Sequence, residues 1–256
     1  MLLETANVWE KINCCEKDCE EALAGRLLVV PNTPARDVQV FEPGALPPKK
    51  GLSFREGQAR LLHDLASIEL QAMELGLRSL IEYQDAPEGF REELRAVTLS
   101  EAQHLKLCLQ GLEQLGFPWG TWPVHVALWR SVDPSDSLLD RILIVHRYLE
   151  GSGLDAGETF MRKLDSVAES TIHPIVKTIM TEEIGHVEFG SRWYRQVCLD
   201  EKINAQDDFP ERLEKLRFRI PKRVEKVSRP LRLKAGFSEA EITYLENLRL
   251  SIIRKP

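Results

Sequence analysis

Two stretches of this chain set a glutamate and a histidine three residues apart inside segments whose apolar residues recur at helical spacing. They are "SEAQHLKL", with Glu101 and His104, and "TEEIGHVEFG", with Glu183 and His186. On a helix, positions three apart stand on one face about a turn apart, so each pair presents a carboxylate and an imidazole to a common point. Ile179, Met180 and Val187 surround the second pair, so the face that carries the polar groups is also the face a fold would bury. A bare buried carboxylate is costly and must protonate or find a partner. That demand constrains the fold more than any other feature of the sequence.

Two single carboxylates upstream sharpen the pattern. Glu69 lies 32 residues before Glu101, and Glu150 lies 33 before Glu183. Two helices and a turn, out and back, bring such positions to similar depth in a bundle. Glu69 is flanked at helical spacing by Leu65, Ala66, Ala72 and Met73. The chain therefore repeats one unit, a Glu and then a Glu-x-x-His. Four carboxylates around two divalent cations balance to neutral charge, and hard oxygens with imidazole suit iron or manganese. The expected metal ligands are Glu69, Glu101, His104, Glu150, Glu183 and His186.

The periodicity predicts an all-α chain with strand signals nearly absent. A first helix is expected over 4–24 and an extended, Pro- and Gly-rich connection over 30–53. Long helices follow over 55–84, 88–115, 136–165 and 169–200, with a short one near 123–132. Four long helices in two pairs predict a four-helix bundle over 55–200, between an N-terminal helix and connection (1–54) and a helical extension (201–256). In "GFSEAEI", Ser238 and Glu241 read as a capping box.

"MLLETANVWEKIN" has neither the basic start nor the apolar core of a signal peptide, and "GRLLVVP" is too short to span a bilayer. Five cysteines, odd in number and scattered, fit a reducing cytoplasm, and "CCEKDC" reads as ordinary thiols. A formal net charge of −6 argues against nucleic-acid binding by the protein as a whole. No nucleophilic triad, phosphate loop or nucleotide fingerprint is present.

Glu69, "EAQH" at 101–104, Glu150 and "EIGH" at 183–186 resemble the ferritin-like di-iron carboxylate superfamily over about residues 55–200. More narrowly, "HDLASIELQAMELGL", "SEAQH" and "EEIGHVEFGSRWY" are similar to a bacterial ferritin-like family whose reaction is unassigned. The resemblance implies a ferritin-like four-helix bundle with extra terminal helices. It implies two iron ions, with manganese or a mixed Mn/Fe pair as alternatives, and dioxygen activation by an oxidase or hydroxylase. The substrate would be a small molecule or RNA, the electron donor is unidentified, and a homodimer is compatible. Two further readings stay open: metal storage or detoxification, and a non-catalytic helical module. By the same resemblance Glu182 would hydrogen-bond His104 outside the ligand set, with Ser100 in the matching place of the first repeat.

Gly151, Gly153 and Gly157 in "EGSGLDAG" stand in a helix interior, where each costs about 0.5–1 kcal/mol relative to Ala. They imply room beside Glu150, a local helix bulge, or a close helix crossing. If the helix bulges, Glu158 becomes an alternative ligand to Glu150. His146, four residues before Glu150, reads as a structural histidine or a donor to the metal site, whereas His63, His125 and His173 lack ligand company. Residues 211–234 hold ten Lys or Arg against three Glu, a run that would suit either a tRNA or RNA hydroxylase or pairing with the acidic body. Trp119, Trp122 and Trp129 are expected to pack in the core or at a bundle end.

Overall fold

The computed structural model describes residues 1–167 and 170–253. Among them the chain is all-α, and the β pairing is an isolated parallel bridge between Val40 and Val124. The chain divides into two compact units: Met1–Trp129 with Leu164–Ile175, and Arg130–Lys163 with Val176–Pro256.

The first unit is organised around α2 (Arg55–Glu82) and α3 (Glu88–Gln114), with α1 (Val8–Leu23) packed on both. α1 starts at Val8 rather than near residue 4 because the Asn7 side chain accepts the N–H groups of Trp9 and Glu10, while Met1–Glu4 close a separate turn. Two glycines bring α2 and α3 close. A Cβ on Gly76 would stand 2.2 Å from Thr98 Oγ1, and one on Gly111 would stand 2.6 Å from a Leu62 methyl. The two contacts run in opposite order along the helices, so the pair is antiparallel.

Buried charge locks α1 to α2. Glu74 is fully buried and receives Lys11 Nζ at 2.8 Å and both Nη groups of Arg36. Burial lowers the Lys11 pKa, with Glu74 opposing that shift. The helix expected near 123–132 is only a 3₁₀ turn at Trp129–Ser131. The preceding residues are held extended instead. Val124 pairs with the 39–41 segment, and Gln71 donates to the His125 carbonyl and accepts the N–H of Leu128.

The second unit holds α4 (Leu138–Ile142), a π-helical segment (Leu143–Glu150) and α5 (Gly151–Asp165), which follow one another without a break, then α6 (His173–Asp200). α7 (Ala205–Leu216), α8 (Arg229–Lys234) and α9 (Glu239–Ile253) follow. The capping box at Ser137 and Asp140 starts α4, and the expected one at Ser238 and Glu241 starts α9. The start expected for the 169–200 helix falls at Glu169, outside the described residues.

A π turn widens the helix by one residue and loosens its carbonyl ladder. Here side chains also reach the carbonyls: Arg232 Nη1 donates to Arg147 O at 2.9 Å, and Ser152 Oγ donates to Tyr148 O at 2.6 Å. Arg232 reaches that carbonyl because Gly151 has no Cβ, which would stand 2.3 Å from its Nη1. Arg232 and Arg249 meet at fully buried Asp155, each 2.7 Å from Oδ2. Arg147 Nη1 pairs with Glu241 at 2.9 Å, and its guanidinium lies 4.4 Å from the Phe237 ring centroid and 4.7 Å from that of Phe209. The basic run also pairs inside this unit through Arg212 with Asp208 and Asp140, Arg219 with Asp136, and Arg229 with Glu239 and Glu246.

These packings make opposite forecasts for two glycines. Gly76→Ala drives a methyl into Thr98, whose hydroxyl is fixed on Leu94 O at 2.7 Å, and should cost about 1–3 kcal/mol. Gly153→Ala meets nothing within 4 Å and should gain about 0.5–1 kcal/mol. Urea unfolding of the two variants reads both signs.

Candidate metal centre

The register of the first unit decides what faces Glu69. Glu69 lies midway between Leu62 and Gly76 on α2, and His104 lies midway, to within a residue, between Thr98 and Gly111 on α3. The two contacts therefore set Glu69 opposite His104. His104 Nδ1 stands 3.5 Å from Glu69 Oε2 and 3.4 Å from Glu101 Oε2. All three side chains are buried, as expected for residues on an apolar face. Cys108 stands one turn beyond His104. Its burial pushes the thiol pKa well up, and the charge of Glu69 adds to the effect.

The second unit repeats the register. A Cβ on Gly190 of α6 would stand 2.3 Å from His146 Cβ in the π segment, and one on Gly157 of α5 would stand 2.0 Å from Met180 Sδ in α6. These contacts also run in opposite order. Four residues on from His146, and four back from Gly190, they set Glu150 opposite His186. Buried His186 has Nδ1 3.2 Å from Glu183 Oε1.

Here the halves differ. Glu150, the last residue of the π segment, is met by His146 Nδ1 at 2.9 and 3.0 Å from its two oxygens. With Glu150 ionised the carboxylate only accepts, and Nδ1 is then the donor. His146 is itself buried, with the edge of Phe189 at 5.1 Å between centroids. The corresponding place in the first repeat is Leu65, so this histidine belongs to one half only.

Glu101, His104, Glu183 and His186, all buried, make a group that could hold a metal ion, each offering one ligand atom. The donor set fits a first-row divalent cation: two carboxylate oxygens and two imidazole nitrogens are the mixture that iron and manganese accept. Glu69 stands 3.5 Å from His104, and the register of the second unit sets Glu150 across from His186.

The other residues named from sequence divide. Ser100 and Glu158 are half-buried, and Glu182 is exposed beside Glu183. His63 is fully buried, stacked on Trp119 at 4.7 Å with its Nε2 accepting the Gly120 N–H. Burial pulls its pKa down to about 4, so it is neutral at pH 7. His173 sits at the start of α6, 2.8 Å from Asp165. Cys14, Cys15 and Cys19 are free thiols on α1. Sequence reasoning missed the arginines that support the π segment. Asp155, an acid one turn beyond Glu150 on a buried stretch, was the available signal.

Glu241 gives this support a pH dependence. Burial raises its pKa, but the Arg147 guanidinium and the Ser238 hydrogen bonds outweigh burial and hold it below the usual carboxylate value. The stability from the Arg147–Glu241 pair is therefore present above the unfolded-state value of about 4.3 and is lost as pH falls through the lower folded-state value. Glu241→Gln should destabilise the protein at pH 7, and the gap to wild type should close as pH falls below about 4. Urea unfolding of both proteins across pH 3–7 checks this.

The family model described as "Protein of unknown function (DUF455)" matches residues 4–243. An uncharacterized protein of Haemophilus influenzae is 30% identical over 77% of this chain and 71% of its own length. No solved structure matches.

Proposed function

The chain belongs to the DUF455 family of proteins of unknown function, and we propose that it is a dinuclear non-haem metal protein that oxidises an organic substrate with dioxygen. The observation that carries the reading is the buried Glu101, His104, Glu183 and His186 group, compatible with a metal ion. The matched register of Glu69 with His104 and of Glu150 with His186 supports a two-fold repeated centre. On this reading each antiparallel pair, α2/α3 and π–α5/α6, contributes one Glu and one Glu-x-x-His, the ligand pattern of ferritin-like di-iron proteins. The metals are two irons, with manganese or a mixed pair as the alternative that the same ligands admit.

When bound, such a pair supplies electrons to dioxygen and a Lewis-acid site for oxygen ligands. The chain's own residues do the rest. Glu69, Glu101, Glu150 and Glu183 together would bring the four negative charges that balance two divalent cations. His104 and His186 hold one imidazole each toward the centre. Glu69 is kept against His104 by the α2/α3 register. Glu150 is oriented by His146, whose Nδ1–H fixes one direction of the carboxylate and leaves its remaining lone pairs for a cation. The surrounding apolar side chains exclude bulk water. No helix among the described residues is long and apolar enough to cross a membrane.

The test is metal stoichiometry. Apoprotein loaded anaerobically with Fe(II), desalted and measured by plasma mass spectrometry should hold two ions per chain. Glu101→Gln combined with Glu183→Gln should hold almost none while keeping its helical circular dichroism. Saturating Fe(II) should raise wild-type stability by about 2.7 kcal/mol at a hundredfold excess over Kd, and leave the double variant unmoved. Wild type that retains no metal and gains no stability overturns the reading.

A further inference from the structure

The basic run 211–234 is only partly explained by its own ion pairs. Arg212, Arg219, Arg229 and Arg232 meet carboxylates of the same unit. Arg217 and Lys222 do something else: they line a cavity of about 420 Å³. The volume falls in the range of small-molecule sites. Ile220, Leu248, Ile252, Phe218 and the ring of Tyr148 make apolar wall, and Ser251 adds a hydroxyl. Tyr148 donates its hydroxyl to Pro221 O at 2.8 Å, so the ring and not the polar end is left for an occupant.

Phe218 is 80% exposed, an unusual position for a phenylalanine with a cavity beside it. Two cations, Arg217 and Lys222, line the cavity. Arg217 has a single partner within its own turn, Glu214 at 3.0 Å, and both side chains are half exposed, so the pair is weak. The charges of Arg223 and of Glu225 both act on the Tyr148 hydroxyl, and the buried Nε of Arg223 has no hydrogen-bond partner. The lining thus joins an apolar surface to two cationic side chains.

We infer that this cavity binds an amphipathic organic anion, one with an apolar body seated on Ile220, Leu248 and Tyr148 and a carboxylate held by Lys222 and Arg217. Area and charge each contribute: the apolar wall removes hydrocarbon from water, and a charge-assisted hydrogen bond fixes the head group. The wall also includes the π segment, because Tyr148 lies two residues before Glu150. The inference does not use the metal reading, and each can fail alone.

The experiment is calorimetric titration of the metal-free full-length chain with decanoate, decan-1-ol and decyltrimethylammonium. Decanoate should bind one to one, and about tenfold or more tighter than either of the others. Lys222→Glu should weaken decanoate about tenfold and raise the affinity for the cationic probe. Phe218→Asp, at an exposed position that leaves the core intact, should weaken decanoate by a similar factor. Thermal unfolding of each variant confirms that it is folded. Absence of saturable decanoate binding, equal affinity for the three probes, or an unchanged affinity in Lys222→Glu overturns the inference. Metal stoichiometry measured on the same preparations reports separately on the dinuclear reading.

Discussion

A carboxylate taken out of water has to be met by positive charge or by donors, and this chain buries many of them. Two means of meeting them are visible. Glu74 stands between Lys11 and Arg36, Asp155 between Arg232 and Arg249, and Glu241 against Arg147. Breaking one partner of such a pair leaves a stranded charge and typically costs about 3–5 kcal/mol, so these pairs fix geometry. The carboxylates of the repeat have a different company. Glu69 and Glu101 are met by His104, Glu183 by His186 and Glu150 by His146. Imidazoles beside carboxylates are what a divalent cation needs and what a purely structural ion pair does not.

The positions of these residues were legible in the sequence because helical periodicity and spacing are local properties. Glu69 and His104 face each other through a register that the intervals between the two Glu and the two Glu-x-x-His already imply. The ends of α2 and α3 were readable for the same reason. What escaped was set by contacts distant in sequence. Residues 123–128 have the composition of a short helix, yet Gln71 and Val40 hold them extended. His63 showed no ligand company in sequence, and its burial under Trp119, far along the chain, was not readable locally. The three glycines after Glu150 suggested either a bulge or a close crossing, and the molecule uses both. Leu143–Glu150 is π-helical, Gly151 admits Arg232 and Gly157 admits Met180, while Gly153 faces open space. No local rule assigns three neighbouring glycines to three different tasks.

The two halves are alike in register and unlike in detail. In the first, His104 has a carboxylate on either side. In the second, the π segment carries an additional histidine that takes hold of Glu150, and buried Arg232 donates to the carbonyl of Arg147 within it. The basic run thus divides between the support of that segment and the lining of a cavity whose wall the same segment shares. A fold built from two similar hairpins has placed its irregularities in the second.

The most direct measurement is a crystal structure of the chain grown with saturating Fe(II), with anomalous data collected at the iron edge. Two anomalous peaks are expected, held by Glu101, His104, Glu183 and His186 with Glu69 and Glu150 as the remaining ligands. Density with no anomalous peak among these six side chains, or iron held only at the protein surface, would contradict it.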